Sequence, residues 1–133
     1  MRISALEAVT AALNQAGVRY LIVGGLAVNA HGYVRLTTDI DLVIALDADN
    51  ILRAFHALHE IGYRPRVPIT AQGFADADQR RCWQEEKGMQ VLSFFSDQQR
   101  TADVDVFVYE PFDFATEYEN SLKDELSPGL EVR

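Results

Sequence analysis

Cysteine is nearly missing from this 133-residue chain: Cys82 stands alone. One thiol makes no intrachain disulfide and no cysteine-rich zinc site, and it suits a reducing compartment. Basic residues are scarce too, 12 Lys and Arg against 20 Asp and Glu, for a net charge of −8. That balance argues against a protein that grips nucleic acid through an extended basic surface. It leaves room for a nucleic-acid end held locally as a small substrate. No apolar run approaches the roughly 20 residues that span a bilayer, and the N-terminus patterns as a helix rather than as a cleavable leader. Internal repeats, low-complexity tracts and linkers are absent. What the chain does have is apolar material, 48% of its residues. That is too much for disorder and enough, at this length, for one core. A single α/β domain over residues 1–133, working in the cytoplasm, is the expectation.

The organising stretch is Tyr20 to Leu46, YLIVGGLAVNAHGYVRLTTDIDLVIAL. An apolar run, Tyr20 to Val23, breaks on Gly24-Gly25. Further on, Asp39 and Asp41 open a second apolar run. Strand residues i and i+2 share a face, so both carboxylates project the same way, followed on that face by Val43 and Ala45. Ile40, Leu42 and Ile44 make the other face apolar as well, the pattern of a strand covered on both sides. Unbalanced negative charge at the mouth of such a strand is costly, and a divalent cation is the simplest remedy.

Around this stretch the elements read in order. Ser4 to Glu7 has the form of a capping box; Leu6, Val9, Leu13 and Ala16 keep helical spacing, and Gly17 supplies the stop. Arg19 to Val23 is a strand, Leu26 to Ala30 a short helix, and Val34 to Thr38 an extended lead into the strand Asp39 to Ala45. Asp47 or Asp49 caps a helix with Ile51, Leu52, Phe55, Leu58 and Ile61 as its buried stripe, ended by Gly62. Pro65 and Pro68 make Tyr63 to Thr70 an edge strand or loop. Asp76 caps a polar helix closed by Gly88. Met89 to Phe95 and Thr101 to Tyr109 are strands joined by a turn. Beyond Pro111 come one helical turn and a small hairpin around Pro128-Gly129.

The strand from Thr101 repeats the acidic design. Asp103, Asp105 and Phe107 share one face, and Val104, Val106 and Val108 the other. If it pairs beside the first acidic strand, one of its acids reaches the same cations. Three carboxylates on adjacent strands suit two magnesium ions, which take hard oxygen ligands and keep positions for phosphate oxygens and water. Such a pair clamps the attacking and departing oxygens of an in-line displacement, and the acid nearest the incoming hydroxyl accepts its proton. A strand turning into a helix at Gly24-Gly25 offers backbone N–H groups to phosphate, with no Cβ in the way.

The ordered combination Val23-Gly24-Gly25, spacer, Asp39-Ile40-Asp41-Leu42, then Val104-Asp105-Val106 resembles the nucleotidyltransferase superfamily of the DNA polymerase beta type. With Arg35-x-Thr37 ahead of the acids, Arg81-x-Trp83, Glu86-Lys87-Gly88-Met89 and Pro111-Phe112, it looks most like a small prokaryotic branch. That branch contains toxin–antitoxin and abortive-infection nucleotidyltransferases, and the likeness covers most of the chain. It implies a mixed β-sheet flanked by helices, two magnesium ions held by Asp39, Asp41 and Asp105, and a nucleoside triphosphate seated on Gly24 and Gly25. The acceptor would be a side chain of a cognate toxin or antitoxin protein, or a transfer RNA end. Arg81 and Lys87 are the cations best suited to the triphosphate tail; Arg35 and Thr37 either touch substrate or shape the approach to the acids. Relatives continue into a basic helical segment beyond the point where this chain ends at Arg133, so a truncated piece and a minimal member both fit.

Plainer readings stand beside these. Asp39 and Asp41 could form a solvated strand end, Gly24-Gly25 an ordinary strand–helix turn, and Arg81 and Lys87 a solvated helix face. His31, His56 and His59 lack partners at metal-ligand spacing and read as surface or packing residues, and Cys82 as inert. A catalytically silent nucleotide-binding or partner-neutralising module of the same fold is the second hypothesis. A haloacid-dehalogenase-like phosphatase is a distant third. That family carries Asp-x-Asp on its first strand with Thr or Ser following, whereas here Leu42-Val43 follows and a strand and a Gly-Gly turn come first.

Overall fold

The computed structural model describes residues 3–23, 39–97, 102–121, 124–127 and 130–132. Helix α1 (Ile3–Gln15) leads into strand β1 (Tyr20–Val23), and β2 (Asp39–Ile44) precedes α2 (Ala48–Glu60). Next come β3 (Tyr63–Pro65), α3 (Ala71–Ala75), α4 (Ala77–Lys87), β4 (Val91–Ser96), β5 (Asp103–Phe107) and α5 (Phe114–Asn120). The hairpin of β6 (Asp124–Ser127) and β7 (Leu130–Val132) closes the described chain. Five strands form one mixed sheet in the order β1-β2-β5-β4-β3. β2 and β5 run parallel at its centre, and every other neighbouring pair is antiparallel. The α/β expectation holds.

Local chemistry explains where the elements stop. Gly17 takes φ +70°, and behind it the Gly17 N–H donates to Asn14 O at 3.1 Å and the Val18 N–H to Leu13 O at 3.0 Å. These are the two bonds of a Schellman ending, with Leu13 and Val18 buried as its apolar contact. Gly62 and Gly88 end α2 and α4 at φ +94° and +63°. Of the two candidate caps for α2, Asp47 performs the role by accepting from Asn50 N–H, and Asp76 caps α4 by accepting from Asp78 and Gln79 N–H.

Several expectations need correction. α1 is already helical at Ile3, so Ser4 lies inside its first turn and not at a cap position. Leu52 falls off the buried stripe and is 39% exposed; the face of α2 that meets the core carries Ile51, Ala54, Ala57 and Leu58. β4 starts at Val91 and not Met89, because the Met89 N–H is spent on Trp83 O at the end of α4. α3, capped by Thr70, is too short to show a period in the sequence. α5 runs seven residues rather than one turn. The short helix and extended lead expected between residues 26 and 38, and the Pro128-Gly129 turn, lie outside the described residues.

The two faces of the sheet differ. Ile40, Leu42, Ile44, Leu92, Phe94, Val104 and Val106 point into the main core with Leu6, Val9 and Leu13 of α1, Ile51 and Leu58 of α2, and Phe74. On the other face, Leu21, Val43 and Ala45 are buried under Phe114 of α5. β2 is thus covered on both sides over its second half. Its first half leaves that cover, and there the acids begin.

Candidate functional site

Backbone register assembles the site. Across the parallel pair, Asp39 stands opposite Asp103, and Asp41 opposite Asp105. On the outer sides of this block, Val23 of β1 is paired with Asp41 and Ser93 of β4 with Asp105. Strands lie about 4.8 Å apart, so four carboxylates project from one small patch of one sheet face. Asp39, Asp41, Asp103 and Asp105 are all half-buried.

The partners of these acids are specific. Ser93 Oγ donates to Asp105 Oδ1 at 2.7 Å. Arg66, just past β3, donates from Nη2 to Asp103 Oδ2 at 2.6 Å. Burial, and then the neighbouring Asp105 and Asp39 charges, push the Asp41 carboxyl above its ordinary value of 3.8. Asp105 is pushed up by burial, with Asp39 and Asp103 adding to the rise and Ser93 and Arg66 opposing it. Tyr63, buried on β3 with its hydroxyl donating to Ala102 O at 2.8 Å, is pushed up to about 12 by burial and by Asp103. It is a neutral donor throughout the physiological range.

Among the described residues, no three His, Cys, Asp or Glu side chains are already drawn together as a metal cage. Asp105 is turned toward Ser93 and Asp103 toward Arg66. The donor set nonetheless fits a hard divalent cation. It is all carboxylate oxygen, and two of its members, Asp41 and Asp105, are each pushed up by neighbouring carboxylates, a repulsion that such a cation relieves.

A stability consequence follows without reference to any reaction. The folded chain holds Asp41 and Asp105 above their ordinary pKa, so it takes up protons there more readily than the unfolded chain. Ionising them costs stability as pH rises through the folded pKa values, and that cost is absent below the ordinary carboxylate range. In chelator at pH 7, Asp41→Asn should therefore stabilise the fold, by no more than about 1 kcal/mol for a half-exposed group screened by solvent, and the gain should fade as pH falls through the folded pKa and be gone below about 4. Thermal melts of the two proteins across pH check this; a variant no more stable than the parent at pH 7 contradicts it.

The remaining candidates are placed as follows. Arg81 and Lys87 are exposed on α4, whose Trp83 packs against the core on the opposite sheet face. Arg81 pairs with Asp78 at 2.9 Å. Among the described contacts, none joins either residue to the carboxylates. Gly24, Gly25, Arg35, Thr37 and His31 lie outside the described residues. His56 meets Glu60 at 3.5 Å on the surface. The Glu86 carboxylate, accepting from the Cys82 thiol at 2.9 Å, pushes that thiol up and away from its reactive form.

Sequence reasoning missed Arg66, Arg64, Ser93 and Phe95. Arg64 pairs across strands with Phe95, and the two guanidinium groups lie over the Phe95 ring at 5.2 and 5.0 Å from its centroid. The signal was present in Arg64-Pro65-Arg66, where i and i+2 share a face as they do in Asp39-x-Asp41. The two prolines drew attention to the edge of the sheet instead.

No protein-family model matches the chain, and no curated protein matches it. Among the described residues, no helix is long and apolar enough to cross a membrane.

Proposed function

We propose that this chain is a magnesium-dependent nucleotidyltransferase of the DNA polymerase beta type. It would move a nucleoside monophosphate from a nucleoside triphosphate to an acceptor hydroxyl. The observation that carries this reading is the register of β2 with β5, which sets Asp41 beside Asp105 and Asp39 next along the same face.

Asp39 and Asp41 would hold both magnesium ions, and Asp105 the one nearer the acceptor. When bound, the ions polarise the transferring phosphoryl group and stabilise the departing pyrophosphate. Asp105 lies at the side of the cluster facing β4, where Ser93 fixes one of its oxygens. Its second oxygen is the natural acceptor for the hydroxyl proton. β1 ends at Val23, paired with Asp41, and Gly24 and Gly25, next in the sequence, would supply N–H donors to the triphosphate. The apolar cluster under Phe114, next along the same sheet face, lowers the local dielectric beside the acids and strengthens their hold on cations.

The acceptor belongs to one of two classes, a side chain of a cognate toxin–antitoxin partner or an RNA end. Incubating the protein and host lysate with each labelled triphosphate plus magnesium tests both. Label is expected on one macromolecule, sensitive either to protease or to ribonuclease, and absent without magnesium. Failure to transfer from any triphosphate would favour a silent module that acts by contact.

A further inference from the structure

Four carboxylates share the open part of the sheet face, and their neighbours divide them into unlike members. Asp105 accepts from the neutral Ser93 hydroxyl at 2.7 Å, which leaves its charge in the cluster. Asp103 faces the Arg66 guanidinium at 2.6 Å, which offsets part of its charge and occupies its Oδ2. Arg66 is itself held from two directions. Its backbone N–H donates to Ser93 O at 2.9 Å, carrying the β3–β4 pairing one residue past Pro65. Its guanidinium lies 5.0 Å from the centroid of Phe95, so its stem is steered across β4 toward β5.

Resting on the two-metal reading above, we propose that Arg66 is a positioning residue that withholds Asp103 from the cations. The ligand set is thereby confined to Asp39, Asp41 and Asp105. An exposed ion pair of this kind adds little to stability, so holding the fold together does not account for it. Magnesium sites that handle phosphates use few carboxylates and leave coordination positions to water and phosphate oxygens. A fourth acid in the set would fill a position the substrate needs and bind the cation too tightly.

The test is a double-mutant cycle read by calorimetric titration of Mn2+ alone into the full chain, with Arg66→Ala, Asp103→Asn, the double variant and Asp41→Asn. Arg66→Ala should tighten Mn2+ binding about tenfold, since a unit charge is removed and an acid released. In the parent background Asp103→Asn should weaken binding only about two- to threefold. In the Arg66→Ala background the same change should cost about tenfold more, because Asp103 has become a ligand there. A purely electrostatic role gives equal costs in both backgrounds, and that result overturns the proposal. So does a parent whose binding falls as far with Asp103→Asn as with Asp41→Asn. Binding lost with Asp41→Asn but an additive cycle defeats the role of Arg66 alone; binding unmoved by Asp41→Asn defeats the two-metal reading as well. All these side chains are partly exposed, so the variants keep the fold.

Discussion

Asp41→Asn is expected to reduce nucleotidyl transfer by at least about a thousandfold, on the scale of the several kcal/mol a metal clamp supplies. The amide keeps the shape of the side chain and removes the charge. The same substitution is expected to stabilise the metal-free fold, so loss of activity would coincide with a higher melting temperature. That combination separates a functional role from a structural one: a residue needed for folding loses both. Asp39→Asn and Asp105→Asn should lose transfer to the same extent as Asp41→Asn. Asp103→Asn, paired with Arg66 at the margin of the patch, should retain activity within about tenfold. Single-turnover rates on all four variants distinguish the pattern. Equal losses at the four positions, or none, contradict it.

Asn50→Ala should produce the largest stability loss of any single polar truncation among the described residues. Asn50 is fully buried in the first turn of α2. Its Oδ1 accepts from Arg19 N–H at 2.8 Å, and its Nδ2 donates to Ala45 O at 2.9 Å and Arg19 O at 3.1 Å. One amide thus ties the chain entering β1 to the chain leaving β2. Arg19 O keeps the Ala45 N–H as a second partner at 3.2 Å, so truncation takes the side-chain partner from two groups, the buried Ala45 O and the part-buried Arg19 N–H. At about 1–3 kcal/mol for the buried carbonyl and less for the part-buried N–H, the loss is roughly 1–4 kcal/mol, a large share of a small domain's stability. Urea denaturation should show the midpoint fall with little change in slope. A loss under about 0.5 kcal/mol would mean the clamp is not needed. The site depends on it as well, since the β1–β2 alignment is what brings Val23 level with Asp41.

The parts of the fold that were legible in the sequence are those set by short-range chemistry. A glycine after an amphipathic run must take φ > 0, and Gly17, Gly62 and Gly88 all do. An aspartate before such a run caps it, as Asp47 and Asp76 do. The faces of β2 and β5 followed from alternation alone, and the same alternation made it possible to ask whether Asp39, Asp41 and Asp105 could meet. What alternation does not contain is which strand lies beside which. The parallel register of β2 on β5 and the place of β4 beyond them are long-range facts, so Ser93 and Phe95 gave no local sign of standing next to acids. Arg66 was hidden for the same reason, since its partner Asp103 is 37 positions away. α3 escaped because five residues cannot display a 3.6-residue period.

The most direct measurement is a crystal of the full chain soaked with Mn2+ and a non-hydrolysable nucleoside triphosphate, with the cations located by anomalous scattering. Two peaks are expected between β2 and β5, ligated by Asp39, Asp41 and Asp105, with Asp103 still on Arg66 and the triphosphate against Gly24 and Gly25. Saturating cation that binds elsewhere, leaving those three carboxylates unligated, would contradict the two-metal site.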